Sequence, residues 1–286
     1  MRVRLRIVSS VLLLAVVLGA PRAQAEQAPP DRLVVATTTS VRDSGLLEAL
    51  LPAFEQESGR RGELIAVGSG AALRMGAMGQ ADAVVSHAPE EEERLVAEGI
   101  LEDRRPFMHG FFVLVGPPAD PAGVADAGSA ADAMRRIAGA EAPWISRGDE
   151  SGTHQREQTL WRAAGHDPAR RWKGFASTGS GMGQTLLVAG ERRAYALADR
   201  ATFEAFRARS GLVALYAKPE AALHNEYAVL RPNPEQLEPG RVDVEGARRF
   251  SAFLLAPETQ RRIRDFARDE TGAPLFAPGP APREER

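Results

Sequence analysis

The chain has 286 residues, of which 44% are hydrophobic and 26% charged, and its formal net charge is −2. This length is sufficient for two globular lobes, and a nearly neutral chain without a basic stripe excludes nucleic acid as a partner. The absence of cysteine excludes disulfides, thiolate metal sites and lipid attachment through a cysteine.

The first 25 residues have the pattern of a secretory signal peptide. Arg2, Arg4 and Arg6 precede the apolar segment Val8–Leu18, and an A-x-A site ends at Ala25. A membrane anchor is the alternative, but the apolar run is short for a span and the small-residue site follows at once. We predict cleavage after Ala25 and export of the protein to the periplasm.

The rest of the chain alternates between short apolar runs and helical patterns. The predicted strands are Leu33–Ala36, Leu64–Val67, Ala83–Val85, Phe111–Val115, Trp144–Ile145, Tyr195–Asp199, Leu212–Leu215 and Tyr227–Leu230. The predicted helices begin at Ser44 and around Leu73, and further helices are Ala130–Gly139, Gln155–Ala164, Gln184–Gly190, Val244–Leu255 and Glu258–Phe266. This alternation predicts an α/β fold with mainly parallel sheets flanked by helices.

Two changes of composition predict that the chain passes between lobes twice, near Gly116 and near Tyr227. We therefore expect a first lobe from residues 31–112 and 226–276, and a second lobe from residues 113–225. Residues 277–286 are rich in proline and charge, which predicts a disordered tail.

The segment Ser146–His154 has the most informative pattern in the chain. It follows an apolar strand, precedes a helical run and contains Arg147, Ser151 and Thr153 together with two glycines. Backbone N–H groups at a helix N-terminus can converge there on an anion beside a guanidinium group. The alternative is that Ser151 or Thr153 is only an N-cap and that Arg147 pairs with Asp149 on the surface.

Two other strand ends carry hydroxyl groups or glycines. Thr37–Ser40 follows the first strand, and Gly68–Gly70 follows the second. Ligands of parallel sheets bind at the carboxyl ends of the strands, so these turns and the Arg147 segment are expected to lie close together. Such a donor-rich site suits a fully deprotonated tetrahedral dianion.

These segments carry a family resemblance. Ala36–Ser40, Asp43–Leu47, Val67–Gly70, Ser146–His154 and Gly181–Gly183 resemble the tungstate-binding proteins of ABC importers, and the Arg-x-Asp-x-Ser-Gly-Thr core is more distantly similar to their phosphate-binding components. The resemblance implies a type II periplasmic binding protein with two lobes and the anion in the cleft between them. It also implies a monomer that delivers tungstate or molybdate to an ABC permease in the inner membrane, without a cofactor or a metal cation.

The resemblance also implies which residues hold the anion. The expected ligand residues are Thr38, Thr39, Ser40, Ser69, Arg147, Ser151, Gly152 and Thr153, and the further candidates beside them are His87, Asp149 and Gly181. The chain departs from the family pattern at Ser69, where threonine is usual, and in the segments 198–202 and 225–227.

His87 ends the third predicted strand, where the phosphate-binding relatives carry an aspartate that accepts a proton from their ligand. An imidazole that donates a hydrogen bond there is expected to disfavour protonated oxyanions. The alternative is that His87 packs behind the cleft. The other four histidines have no spacing typical of a metal site, and Glu90–Glu93 is expected to be a solvated first helical turn.

Three other functions compete with tungstate binding. Sulfate or phosphate is the alternative ligand within the same class, and a periplasmic anion sensor is an alternative role. A secreted hydrolase that uses Ser151 and His154 belongs to a different class, but the G-x-S-x-G elbow and an identified orienting acid are missing. We therefore expect a binding protein rather than an enzyme.

Overall fold

The computed structural model describes residues 32–269 and 271–280, so the predicted signal peptide lies outside the described residues. The described residues form ten strands: β1 Arg32–Thr38, β2 Arg61–Val67, β3 Ala83–Ser86, β4 Leu101–Gly116, β5 Trp144–Ser146, β6 Phe175–Ser177, β7 Ala196–Asp199, β8 Val213–Tyr216, β9 His224–Pro232 and β10 Ala277–Pro278. Their α-helices are α1 Thr39–Ser44, α2 Leu46–Ser58, α3 Ser69–Ala77, α4 Pro89–Ala97, α5 Ala130–Gly139, α6 Gly152–Ala163, α7 Met182–Glu191, α8 Arg200–Ser210, α9 Val244–Leu255 and α10 Pro257–Asp265. Within this range, no helix combines the length and the apolar character that a membrane span requires.

The fold is α/β with a mixed sheet. Its strand order is β10-β4-β9-β3-β1-β2, while β7 and β8 both pair with β4 and the short strands β5 and β6 pair with each other. The pairs β1-β2, β1-β3 and β5-β6 are parallel and the other five described pairs are antiparallel, so the sheet is mixed rather than mainly parallel as the alternating pattern predicted. The described antiparallel pairs all include β4 or β9.

The long strand β4 belongs to both halves of the sheet. It pairs with β9 up to Phe111 and His224, and then with β7 from Phe112 and Asp199 onwards. The pairing therefore changes next to residue 112, where the sequence analysis placed the first boundary between lobes. This change supports the division into two lobes, whose boundaries stay a prediction.

Each half of the sheet has buried apolar clusters around it. In the first half, Phe54 and Phe250 belong to one cluster, and Leu73 belongs to another. In the second half, Trp144 and Trp161 pack together at a centroid distance of 5.0 Å, and a further cluster forms around α7. The two halves also contact each other, because α1 packs against α7 and α8.

The prediction of a turn at residues 37–40 is wrong. Thr37 and Thr38 still belong to β1, and α1 begins at Thr39 because the Thr38 side chain accepts a hydrogen bond from the Val41 N–H at 3.3 Å. Gly45 has φ 76° and separates α1 from α2. The sequence analysis also missed β6 and α8, whereas the bounds predicted for α5 and α9 are confirmed.

Two further expectations need correction. The tail does not begin at Ala277, because Ala277 and Pro278 pair with β4. Glu92 is fully buried rather than solvated, and it accepts hydrogen bonds from Arg104 at 2.9 Å and from the Ala88 N–H at 2.8 Å. Helical spacing explains this exception, because Glu92 and Leu95 lie on the inner face of α4 while Glu90 and Glu93 face solvent.

Candidate functional site

The predicted ligand residues other than Arg147, and the further candidate Gly181, lie at the N-termini of four helices. Thr38 caps α1, Ser69 begins α3, Ser151 caps α6 and Gly181 caps α7. The first N–H groups of a helix have no partner within the helix and carry the positive end of its dipole. The elements that place these residues are therefore suited to hold an anion.

Hydrogen bonds bring residues from both halves of the chain together. Arg147 Nη1 donates to Ser40 Oγ at 3.2 Å, and Arg147 Nη2 donates to Thr39 Oγ1 at 3.3 Å. The Gly152 N–H donates to Ser69 Oγ at 3.2 Å. We call this group of residues, together with Ser151 and Thr153, the cradle.

Two glycines allow this close approach. A Cβ atom on Gly152 would lie 2.5 Å from the carbonyl oxygen of His87, which is closer than real Cβ contacts. A Cβ atom on Gly181 would lie 3.3 Å from Thr39 Oγ1. The start of α6 therefore meets the end of β3 backbone to backbone, and any side chain at Gly152 would separate them.

Asp149 is a direct partner of two cradle residues. Its Oδ2 accepts a hydrogen bond from Arg147 Nη2 at 2.5 Å, and its Oδ1 accepts one from Ser151 Oγ at 2.6 Å. Ser151 Oγ in turn accepts from the His154 N–H, so Ser151 is an N-cap. The alternative of an exposed pair is wrong, however, because the Arg147 side chain is only 2% exposed.

Some buried donors of the site have no acceptor. Arg147 Nε, Thr153 Oγ1 and Thr37 Oγ1 are buried and have no hydrogen-bond partner among the described residues. Leaving a buried donor unpaired costs about 1–3 kcal/mol, so such groups usually mark the place of a missing acceptor. Thr37 was part of the predicted donor segment but not one of the expected ligand residues.

His87 belongs to a packed aromatic group beside the cradle. Its ring stacks on Tyr227 at 5.0 Å, and its Nδ1 lies 2.8 Å from Asn225 Oδ1, while Asn225 Nδ2 donates to the Tyr227 hydroxyl at 2.7 Å. Burial lowers the pKa of His87 to about 4, so the imidazole is neutral near pH 7. In this arrangement Nδ1 carries the proton and Nε2 is an acceptor, which favours the packing role over the predicted donor role.

Glu157 holds the cradle from behind. Its Oε1 accepts hydrogen bonds from the indole N–H groups of Trp144 at 3.1 Å and Trp161 at 3.3 Å. Burial raises the pKa of this carboxyl to about 7, against the opposing effect of its hydrogen bonds. The contact ties α6 to β5, and thereby fixes the two ends of the loop that carries Arg147.

The geometry does not join Ser151 and His154 as a catalytic pair. The His154 ring accepts from the Glu150 N–H at Nδ1, and its Nε2 lies 3.1 Å from Gln158 Nε2. The Ser151 hydroxyl donates to Asp149 instead of an imidazole. General-base activation of the serine requires a direct serine–imidazole contact, so this arrangement gives the hydrolase alternative no support.

A family model described as the PBP superfamily domain matches residues 23–258. The tungstate-binding protein TupA of Peptoclostridium acidaminophilum is 36% identical over 97% of this chain and 98% of the relative. The chain therefore belongs to the PBP superfamily. Within it, the resemblance to the tungstate-binding proteins stated above is confirmed.

Two solved structures of this superfamily agree in fold. The tungstate ABC transporter structure from Geobacter sulfurreducens has a TM-score of 0.75 and 42% identity, and the match covers 82% of this chain and 98% of that one. TupA from Desulfovibrio alaskensis G20 has a TM-score of 0.71 and 35% identity, with 89% and 100% covered. The two-lobe α/β architecture expected of a periplasmic binding protein is thus confirmed.

The sequence analysis missed one buried group beside Ser40 of the cradle. Asp199 ends β7 and caps α8, where its Oδ1 accepts from the Thr202 N–H at 2.8 Å. The Thr202 hydroxyl donates to the carbonyl oxygen of Ser40 at 3.3 Å. The available signal was an aspartate at a strand end with a threonine three positions later, which is a typical helix start.

Proposed function

We propose that this chain is the solute-binding component of an ABC importer and that it captures tungstate or molybdate in the cradle. The proposed ligand residues are those expected from the sequence, with Thr37 added. On this proposal the protein is exported to the periplasm as a monomer, loses its signal peptide after Ala25 and delivers the anion to a permease in the inner membrane.

The observation that carries the proposal is the buried Arg147 together with the unpaired donors of the predicted site. The Arg147 guanidinium is 2% exposed and donates to Ser40 and Thr39 at the start of α1. Its Nε and the Thr153 hydroxyl at the start of α6 are buried without a partner among the described residues. Charge-assisted hydrogen bonds from such donors favour a compact oxyanion. The similar proteins named above are described as tungstate-binding, which favours tungstate over sulfate or phosphate.

Calorimetric titration of the purified chain with tungstate, molybdate, sulfate and phosphate tests the proposal. We expect tungstate or molybdate to bind with a dissociation constant at least a hundredfold below those of sulfate and phosphate. Equal affinity for all four anions would contradict the proposed ligand class, and absence of binding would contradict the function.

We also propose that the lobes close over the anion, because the donors come from both halves of the chain. They meet where α1 contacts α7 and α8, and we call this contact between the halves the seam. Solution scattering with and without saturating tungstate measures this directly. We expect the radius of gyration to fall when the anion is added. An unchanged radius, with binding seen by calorimetry, would show that the cradle is formed before the anion arrives.

A further inference from the structure

Asp199 is a buried carboxylate at the seam that the proposed function does not use. Its side chain is 1% exposed, and its Oδ1 accepts a hydrogen bond from the Thr202 N–H. Oδ2 is buried without a hydrogen-bond partner among the described residues. A carboxylate in this setting is poorly solvated, so its neutral acid form is favoured.

The surroundings of Asp199 contain no ion-pair partner. Within the described chain, no arginine or lysine nitrogen lies within 4.0 Å of its carboxylate, and the neighbouring Arg200 pairs with Asp269. The groups that face it are Ser40 from α1, Tyr227 from β9 and, at longer range, Arg147 from the cradle. β4 presents Phe112 to it, and α8 supplies Thr202.

The burial of Asp199 depends on the seam. Ser40 of α1 lies next to its carboxylate, and the Thr202 hydroxyl binds the Ser40 carbonyl oxygen from the other side of the seam. Ala201, next in α8, packs into the apolar cluster of the first half of the sheet. Separation of α1 from α8 would expose the carboxylate to water.

We propose that Asp199 takes up a proton when the lobes close over the oxyanion, so that anion capture is coupled to protonation of this carboxyl. The inference rests on the proposed function. A bound dianion beside Arg147 and Asp149 already leaves the seam with a net charge of −2, and an ionised Asp199 would add a third uncompensated negative charge. Neutralisation of Asp199 removes that repulsion.

Proton uptake by Asp199 fixes the direction in which anion affinity changes with pH. Burial raises the pKa of Asp199 in the closed protein, although the Thr202 N–H, the Thr202 hydroxyl, Arg147 and Ser40 oppose the shift. The closed form therefore binds more protons than the open form, and anion affinity rises as the pH falls through the raised pKa. The gain ends near the ordinary aspartate pKa of about 4, where the open form is protonated too.

Calorimetry can count the protons directly. We propose to titrate the wild-type protein with micromolar tungstate at several values between about pH 5.5 and pH 8, in two buffers of different ionisation enthalpy. We expect a measurable fraction of a proton to be taken up per anion at the acid end, decreasing as the pH rises. Asp199→Asn, which keeps an oxygen to cap α8, should bind tungstate with no proton uptake and an affinity independent of pH.

Asp132→Asn is the matched control, because it changes an aspartate at the start of another helix, α5, whose side chain is 29% exposed. This variant should take up protons as the wild type does. Tungstate binding by the wild type without proton uptake, or unchanged uptake in Asp199→Asn, overturns the inference and leaves the proposed function standing. Absence of tungstate binding by the wild type overturns both, and the wild-type count is decisive even if Asp199→Asn does not fold.

Discussion

The seam between the lobes has two contrasting sides, which meet at Gly152 and His87. On one side is the cradle, where polar groups from both halves of the chain make long hydrogen bonds of 3.2–3.3 Å and some buried donors stay unpaired. On the other side is the aromatic group of His87, Phe112, Asn225 and Tyr227, whose polar atoms are mostly paired and whose rings stack. The second group also borders a cavity of about 410 Å³.

The difference indicates separate tasks. The aromatic group lies where β4 and β9 pass between the halves of the sheet, so it is suited to remain packed while the lobes move. Each cradle bond includes at least one side chain that can rotate away, so these bonds are suited to exchange for bonds to an anion. The following variants test whether tungstate affinity depends on the cradle and whether the free energy of unfolding depends on the aromatic group. The expected effect on tungstate affinity decreases from the first variant to the last.

Arg147→Ala should have the largest effect. Loss of the charge-assisted donors should weaken tungstate binding by about 2–4 kcal/mol, because the dianion is still buried but loses its fixed positive partner. Calorimetric titration measures the change. Arg156→Ala is the control on the other side, since Arg156 lies near Phe112 and, among the described residues, donates to the His224 carbonyl oxygen and not to the cradle. It should change affinity by less than about threefold, or roughly 0.7 kcal/mol.

Gly152→Ala should block closure. The added Cβ would lie 2.5 Å from the His87 carbonyl oxygen, which is a backbone atom, so we expect the start of α6 to be pushed away from the end of β3. We expect affinity to fall roughly tenfold or more, which is about 1.4 kcal/mol, and the radius of gyration to stay large in saturating tungstate. Alanine in a helix is otherwise favourable, so Gly139→Ala in α5, where the added Cβ would meet no atom within 4 Å beyond the adjoining helix backbone, should leave both measurements unchanged. A compact, tight-binding Gly152→Ala variant would contradict the closure model.

Ser69→Ala should have a smaller effect. It removes the acceptor of the Gly152 N–H and a neutral hydroxyl from the cradle, and neutral hydrogen bonds contribute about 0.5–1.5 kcal/mol. Tungstate affinity should therefore fall about fivefold, and Ser69→Thr, which restores a hydroxyl, should recover most of it. Equal losses in both variants would mean that the site responds to packing around this fully buried position rather than to its hydroxyl.

The sequence predicted the cradle better than the aromatic side. Glycines, hydroxyl groups and an arginine at the ends of parallel strands together indicate an anion site, so the sequence predicted that Arg147, Ser40 and Ser69 lie close together. The helix α8 was not predicted, although Asp199 at the end of β7 is a typical N-cap. Nothing local to His87 indicates its partners, since Asn225 and Tyr227 are more than a hundred positions away and only the strand pairing brings them to it.

His87→Phe should change tungstate affinity least, by less than about threefold, because phenylalanine keeps the stacking and the cradle is untouched.

The effect of His87→Phe should appear in the dependence of unfolding free energy on pH. The pKa of His87 is lowered from 6.5 to about 4, so its contribution is complete above pH 6.5 and is lost as the pH falls through 4. The pKa of Glu157 is raised from 4.5 to about 7, so its contribution is present below pH 4.5 and is lost as the pH rises through 7. Each contribution is on the order of 3 kcal/mol, and the two oppose each other.

Denaturant unfolding between pH 4.5 and 6.5 tests this. In the wild type these two groups should change the unfolding free energy little over this range, whereas His87→Phe should lose stability as the pH rises. Glu157→Gln, the matched variant behind the cradle, should lose stability as the pH falls. A His87→Phe profile parallel to that of the wild type would show that the imidazole is not held neutral by burial, and a large loss of affinity would place His87 on the anion after all.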